Sequence, residues 1–146
     1  MAVTVPVRML VDRAASGELL LLSEGLSFWG GLDPASGEII DRQHPQHGAK
    51  VTGKVLVLPS PRGSTAAPGA LLECLCEHSG PAAIVLATCD PTAIAAVLAA
   101  QMIEHPAIPV AQLLDPADLQ VLTGIAYANV GQGLLTEIQP GWSSLS

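Results

Sequence analysis

The sequence predicts an α/β domain with a parallel βαβαβ core and a flanking layer of antiparallel strands. Short apolar runs at 54–59, 82–87 and 108–113 are typical of buried strands, and helical patterns at 66–78 and 91–104 separate them. This alternation implies right-handed crossovers and a parallel sheet. The amino-terminal third instead alternates short strands with turns, and the end of the chain has the pattern of a hairpin.

The amino-terminal part is predicted as strands and turns. Its strands are VRMLV (7–11), GELLLL (17–22) and EII (38–40), with a break between the first two at Ser16-Gly17. The stretch Asp33-Pro34-Ala35-Ser36-Gly37 predicts a turn, because proline fixes φ and glycine accepts the positive φ that closes it. A polar loop (41–50) leads to the strand KVLVLP, which ends at Pro59.

Two helices and a hairpin complete the predicted fold. The helix at about 66–78 places three leucines on one face and two glutamates on the other. In the helix at 91–104, Asp90 is the predicted N-cap and Pro91 the first residue, and the helix is apolar almost all round. Residues 124–138 predict a hairpin that turns at Gly131-Gln132-Gly133.

Composition excludes several classes of protein. The 146 residues fit one domain (1–146), and 49% hydrophobic residues are enough for a core. A net charge of −7 without any cluster of Lys and Arg argues against nucleic-acid binding. No apolar run is long enough for a membrane span, and the amino terminus lacks the pattern of a signal peptide. With three cysteines, an odd number, we expect a cytoplasmic protein.

The loop PSPRGST is the candidate for chemistry. It follows a buried strand and precedes a helix, which is where open α/β sheets bind ligands and where helix amides attract anions. Arg62 offers a bidentate cation, Gly63 permits close approach of a ligand, and Ser64 and Thr65 bring hydroxyls. The alternative is an ordinary helix start, in which Ser64 or Thr65 is the N-cap and Arg62 is solvated. The local pattern alone favours this alternative.

The histidines and cysteines do not predict a metal site. His44 and His47 have the spacing H-x-x-H, but Pro45 between them excludes a helical register, so hydrogen-bonded or solvated loop histidines are favoured. The three cysteines fit no zinc or iron–sulfur spacing and are interpreted as buried thiols. Asp33 and Asp41 are interpreted as turn residues.

Three strings, LSFWGGLDPASGEIIDRQHPQHG, TGKVLVLPSPRGST and LLECL, resemble the small subunit of aconitase X from about Leu10 to Glu137. This family comprises dehydratases related to aconitase, and its small part is a swivelling β/β/α domain, fused to the large part or separate from it. The resemblance implies dehydration of a hydroxy acid. An iron–sulfur cluster held by the large subunit would take the leaving hydroxyl, and Ser64 would be the base. We expect this chain to bind no cluster by itself and to be inactive without the large subunit.

The resemblance has departures and leaves one stretch open. The family often has Gly-Arg-Gly-Ser-Ser followed by Gly-Ser, whereas Pro61 and Thr65 here replace the first glycine and second serine, and Ala67-Pro68 the later pair. The Ser64 match is unaffected. Phe28-Trp29-Gly30-Gly31 either lines the cleft between the subunits or packs on this domain's own core. If the stretch lines the cleft, Trp29 is a substrate-binding residue together with Arg62, Gly63 and Thr65.

The sequence is compatible with two candidate substrates and with one function of another class. In this family, bacterial members are linked to cis-3-hydroxy-L-proline, which gives a pyrroline carboxylate, and archaeal members to phosphomevalonate. The Ala-rich, Lys-poor composition lacks hyperthermophile enrichment, which favours a mesophilic bacterium and hydroxyproline. The other class is a non-catalytic swivelling carrier or scaffold. A carrier needs an exposed histidine near a helix start, where this chain has Ser64, Thr65 and Asp90.

Overall fold

The computed structural model describes residues 3–24, 31–33, 35–59, 79–87, 95, 98–99 and 108–138. These residues form seven strands, a 3-10 turn (Pro116–Asp118) and a short helix (Leu119–Leu122). The strands are β1 (Thr4–Val11), β2 (Ala15–Leu21), β3 (Val55–Leu58), β4 (Ala83–Leu86), β5 (Val110–Leu113), β6 (Tyr127–Gly131) and β7 (Leu134–Glu137).

The two long predicted helices fall mainly outside this description. The helix at 66–78 lies outside the described residues, and within 91–104 only Ala95, Leu98 and Ala99 are described, all three helical. None of the helical stretches in the described ranges has the length and hydropathy that crossing a membrane requires.

The seven strands form one closed barrel in the order β1-β5-β4-β3-β2-β6-β7, and β7 pairs with β1. The segment β3-β4-β5 is parallel, which confirms the predicted core, and β2 extends it because Leu20 pairs in parallel with Leu56. β1, β6 and β7 pair antiparallel with their neighbours. The flanking antiparallel strands are therefore hydrogen-bonded into the same sheet as the parallel core.

The inside of the barrel is packed with small and β-branched side chains. Every strand sends alternate residues inward, as a closed sheet requires, and the short helix adds Leu122, which is fully buried. The buried residues of this inner cluster include Val5, Val7, Val55, Val57, Val85, Ala111, Ala128, Val130 and Leu135. Valine and alanine suit this space because seven strands leave little room at the barrel axis.

A second cluster covers the outside of the parallel strands. Leu56, Ile84 and Leu86 point outward from β3 and β4 and pack with Ile39 and Val51 of the 31–51 segment. Both faces of β3 and β4 are therefore buried, which explains why these strands are continuous apolar runs instead of alternating patterns.

The sequence predicted the role of Gly37 correctly and that of Gly17 wrongly. The break expected at Ser16-Gly17 is wrong, because both residues lie inside β2 and pair with β6. The chain leaves the sheet earlier, at residues 12–14. A Cβ at Gly17 would collide with the carbonyl oxygen of Gly53, so this glycine permits close approach of two segments. The turn predicted at Gly37 is confirmed by its φ of 76° and by its N–H, which donates to the Asp33 carbonyl at 2.7 Å.

Of two further predictions, one is confirmed and one is wrong. The hairpin around Gln132 is confirmed as β6 and β7. The short strand expected at 38–40 is only a pair of isolated bridges, from Leu32 to Ile39 and from Glu38 to Lys50.

Candidate functional site

The carboxyl ends of four parallel strands meet at one edge of the barrel. Beyond β2, the Leu22 N–H donates to the carbonyl of Val57 at 3.1 Å, and beyond β4, the Ala87 N–H donates to Leu58 at 3.0 Å. The ladder therefore continues to the point where β2, β3 and β4 end together. In parallel α/β sheets this edge is where ligands bind, so it is the candidate site.

The predicted site residues follow the strands that end here. Trp29 follows β2, and Arg62, Gly63, Ser64 and Thr65 follow β3; all five lie outside the described residues. The described part of the chain fixes where both stretches begin, because β2 and β3 are parallel neighbours with Leu21 opposite Val57. The chain therefore leaves the sheet from adjacent strand ends before the FWGG stretch and before the RGST loop, a relation that the sequence pattern did not predict.

An open depression of about 270 Å³ lies beside these strand ends. Ser23 and Pro59 line it from β2 and β3, and Gln120 and Thr123 line it from the short helix. The Thr123 hydroxyl donates to the Gln120 carbonyl at 2.7 Å, so it serves its own turn. The depression is mostly apolar, and Pro59, at its rim, precedes the RGST loop in the chain.

Among the six Lys and Arg residues of the chain, Arg62 is the one that comes soonest after a parallel strand in the sequence, four residues beyond Leu58. Lys54 immediately precedes β3, at the opposite end of that strand, and Arg13 lies between β1 and β2. Arg62 itself lies outside the described residues, so its place at this edge stays a prediction. Its guanidinium suits a carboxylate or phosphate.

Two side chains of the 41–48 loop bind the end of β2. His44 is only 3% exposed, and its Nε2 lies 3.2 Å from the carbonyl oxygen of Glu24. Gln46 accepts hydrogen bonds through Oε1 from the N–H and the hydroxyl of Ser23, each at 3.3 Å. The expectation of a hydrogen-bonded loop histidine is confirmed for His44, whereas His47 is exposed.

The two aspartates act in turns, as predicted. Asp33 accepts from the N–H of Ala35 at 3.1 Å and from the hydroxyl of Ser36 at 2.9 Å. Asp41 accepts from the N–H of Gln43 at 3.0 Å. Neither carboxylate is placed for acid–base chemistry by these contacts.

The described residues do not provide a metal site. Within the described ranges, no three His, Cys, Asp or Glu side chains are grouped to hold a metal ion. The three cysteines, Cys74, Cys76 and Cys89, lie outside these ranges. We therefore derive no step through a cluster bound to this chain.

Sequence reasoning missed two features of this edge. The turn and short helix at 116–122 were not predicted, although Asp115-Pro116 is the same signal as Asp90-Pro91, and Asp115 caps the turn by accepting from the Ala117 N–H at 3.0 Å. The role of Gln46 was also missed. A glutamine in a polar loop carries no local signal, since its partner Ser23 is distant in sequence.

Comparison with known proteins places this chain in a family. Residues 4–136 match the family description "Aconitase X swivel domain". A cis-3-hydroxy-L-proline dehydratase of Pseudomonas aeruginosa is 39% identical over 128 residues, which are 88% of this chain and 22% of that protein. A phosphomevalonate dehydratase small subunit of Methanothermobacter thermautotrophicus is 34% identical over 76% of this chain and 86% of its own length.

A solved structure has the same fold. The crystal structure of Thermococcus kodakaraensis aconitase X (holo-form) superposes with a TM-score of 0.78 at 21% identity, over 93% of this chain and 98% of that one. The chain spans about one fifth of the hydroxyproline dehydratase that it matches. Taken with the match over residues 4–136, these likenesses show that the chain belongs to the aconitase X swivel domain family.

Proposed function

We propose that this chain is the small subunit of a cytoplasmic hydro-lyase that dehydrates a hydroxy acid, with cis-3-hydroxy-L-proline as the first candidate substrate. The observation that carries the proposal is the 39% identity, over 88% of this chain, to a dehydratase of that name. The product would be a pyrroline-2-carboxylate. Its support from the fold is that β2 and β3, the strands that precede the FWGG stretch and the RGST loop in the sequence, end side by side.

In this proposal Ser64 is the base. A free hydroxyl is too weak an acid to be ionised at neutral pH, so an alkoxide needs positive potential around it. Arg62 and the amides at the predicted helix start would supply that potential in a closed cleft. The ionised Ser64 oxygen then takes the proton from the substrate carbon, and the C–H electron pair forms the double bond as the C–O bond breaks. Ser64 passes this proton to the departing hydroxide, which leaves as water.

The other loop residues hold the substrate. Arg62 binds the anionic group with two parallel hydrogen bonds, and Gly63 lets the backbone approach it. Thr65 adds a hydroxyl, and Trp29 gives a rigid apolar wall to the cleft. Together they orient the substrate so that the proton to be removed faces Ser64.

The large subunit completes the active site. An iron–sulfur cluster bound there would supply the Lewis acid for the leaving hydroxyl. A small chain alone cannot exclude water from a cleft shared by two subunits, so the proposed enzyme is a heterodimer and this chain alone is inactive.

The second candidate substrate is phosphomevalonate. It is favoured by the relative from M. thermautotrophicus, whose name is that of a phosphomevalonate dehydratase small subunit and which aligns over 86% of its length. Arg62 suits a phosphate as well as a carboxylate. The two candidates therefore differ in what the large subunit must recognise.

The test is turnover by the reconstituted complex. The chain is co-expressed with an aconitase-X-type large subunit and incubated separately with the two candidate substrates, and product formation is followed by mass spectrometry as a loss of water. Dehydration of hydroxyproline supports the first candidate, and dehydration of phosphomevalonate alone supports the second. If neither loses water, the role as a dehydratase subunit is rejected, and the carrier or scaffold alternative takes its place.

Substitution Ser64→Ala should lower kcat of the complex by roughly 10²-fold or more, which is the usual cost of losing a general base. KM should change little, because Arg62 and the loop amides still hold the anion. Arg62→Ala is the matched control and should mainly raise KM, while Thr65→Ala should have the mildest effect. Steady-state kinetics with thermal melts measures this. A folded Ser64→Ala complex with near-normal kcat would place the base in the large subunit.

A further inference from the structure

The 41–48 loop is tied to itself by backbone hydrogen bonds. The N–H of His44 donates to the Asp41 carbonyl at 3.0 Å, and the His47 N–H donates to the His44 carbonyl at 3.0 Å. Gly48 closes the loop by donating to the Ile39 carbonyl at 2.9 Å. These backbone bonds shape the loop together with one bond to the His44 ring, which accepts from the Gln46 N–H at 3.0 Å.

The roles of the two ring nitrogens of His44 follow from their partners. The N–H of Gln46 donates to Nδ1 at 3.0 Å, so Nδ1 is the acceptor. The Glu24 carbonyl can only accept, so Nε2 is the donor to that oxygen across 3.2 Å. The ring thereby joins its own loop to the backbone that follows β2.

The contacts of His44 and Gln46 bind the backbone that follows β2. Leu22 is still bonded to β3, because its N–H donates to the carbonyl of Val57. The next two residues contact the 41–48 loop: Ser23 donates to Gln46 through its N–H and hydroxyl, and the Glu24 carbonyl contacts His44. Ser23 also lines the depression at the candidate site.

We propose that His44 and Gln46 are positioning residues that set the direction in which the chain leaves β2 toward Trp29. They do not contact the reacting atoms. They fix Ser23 and Glu24, the last described residues before the FWGG stretch, beside the strand end that leads to the RGST loop. The predicted effect on substrate binding rests on the proposed function, whereas the effect on the FWGG stretch does not.

Two substitutions of His44 separate this role from simple stabilisation of the loop. In His44→Asn the side-chain oxygen can replace Nδ1 and accept from the Gln46 N–H, as in an Asx turn, but the side chain is too short to reach Glu24. In His44→Gln the longer side chain can replace Nε2 as a donor to Glu24 and loses the local bond. A positioning role predicts that His44→Gln resembles the wild type more than His44→Asn does. A local loop role predicts the reverse.

The first readout is independent of activity. The chain has two tryptophans, Trp29 and Trp142, so Trp142→Phe leaves Trp29 as the single fluorescent reporter. In that background, acrylamide quenching of the full chain should differ from the wild-type value with His44→Asn and stay near it with His44→Gln. His47→Asn, at an exposed histidine of the same loop, is the matched control and should change nothing.

The second readout is the kinetics of the complex. His44→Asn should raise KM by about two- to tenfold, the factor that corresponds to losing one hydrogen bond, with a smaller fall in kcat, and His44→Gln should restore KM. Mere loss of folded protein would lower the apparent kcat at constant KM. If the wild-type complex has no dehydratase activity, the proposed function fails and the quenching still decides the positioning role.

Gln46 provides a second pair of variants if His44→Asn does not fold. Gln46→Glu keeps an acceptor oxygen for Ser23, whereas Gln46→Ala removes it, so quenching should change and KM should rise with the alanine only. Equal quenching for both members of each pair, or a better result for His44→Asn than for His44→Gln, overturns the proposal.

Discussion

The backbone of Gln132 lies in the left-handed region, which is unfavourable for most residues that carry a side chain. Its φ is 56°, and among the described residues it is the one non-glycine with a positive φ. It occupies the two-residue turn between β6 and β7 together with Gly133, whose φ is 80°. Turns of this kind match the twist of the flanking strands and favour Asn-Gly, because asparagine tolerates the left-handed region better than other side chains.

Gln132→Asn should therefore stabilise the chain by about 0.5 kcal/mol, a part of the cost that the left-handed region imposes on most residues. Gly133→Ala should destabilise it by about 1 kcal/mol, although a Cβ there would have only an ordinary contact with the Val7 carbonyl, since the strain comes from φ alone. Urea unfolding of the full chain measures both. Equal stability of all three proteins would contradict the assignment of strain.

At the scale of elements, the small width of the barrel determines which side chains fill it. Ala111 lies in the middle of β5 with no exposure, between Met9 of β1 and Val85 of β4. Close-packed interiors do not accept extra methylenes without moving side chains or backbone. In a closed sheet the backbone is held on both sides of each strand, so there is little room for that movement.

Ala111→Leu should lower the free energy of unfolding by about 1–3 kcal/mol, the usual cost of overpacking a core. Ala126→Leu is the matched control, because Ala126 is exposed and the same added volume meets water. The control should stay within about 0.5 kcal/mol of the wild type. Chemical denaturation compares the two. Similar losses for both variants would mean that the inner cluster has free space.

For the whole molecule, closure of the barrel limits how a partner can bind. Each of the seven strands formed by the described residues pairs with two others, so none of these strands offers an edge for another chain to extend. In the proposed complex, a large subunit would therefore bind side-chain surfaces and loops. The carboxyl edge of the parallel strands is the natural place, because the proposed active site is shared there.

Co-expression with a large subunit should give a stable complex that elutes from gel filtration earlier than either chain alone. Iron and sulfide should be stoichiometric in that complex and absent from this chain purified alone, because its cysteine spacing fits no cluster pattern. Metal analysis of both samples checks this. A full cluster in the isolated chain, or unchanged mobility of the mixture, would contradict the proposed assembly.

Local patterns in the sequence predicted much of the fold. The apolar runs identified β3, β4 and β5 as parallel strands, because burial on both faces leaves no polar alternation. The turn at Gly37 and the hairpin at Gln132 were also predicted, since turn chemistry depends on neighbouring residues. The strings that include FWGG and RGST pointed to the family, which the match over residues 4–136 confirms. The roles of Ser64 and Arg62 stay predictions.

Tertiary structure alone decided how these pieces are joined. Closure of the barrel depends on the pairing of β1 with β7 and of β2 with β6, between segments more than a hundred residues apart. No local period encodes such pairs. For the same reason Gly17 was misread as a break, since the oxygen it accommodates belongs to Gly53, and the burial of His44 depends on Glu24. The sequence by itself determined the three parallel strands, the turn, the hairpin and the family, whereas long-range contacts placed the strand ends and the loop that binds them.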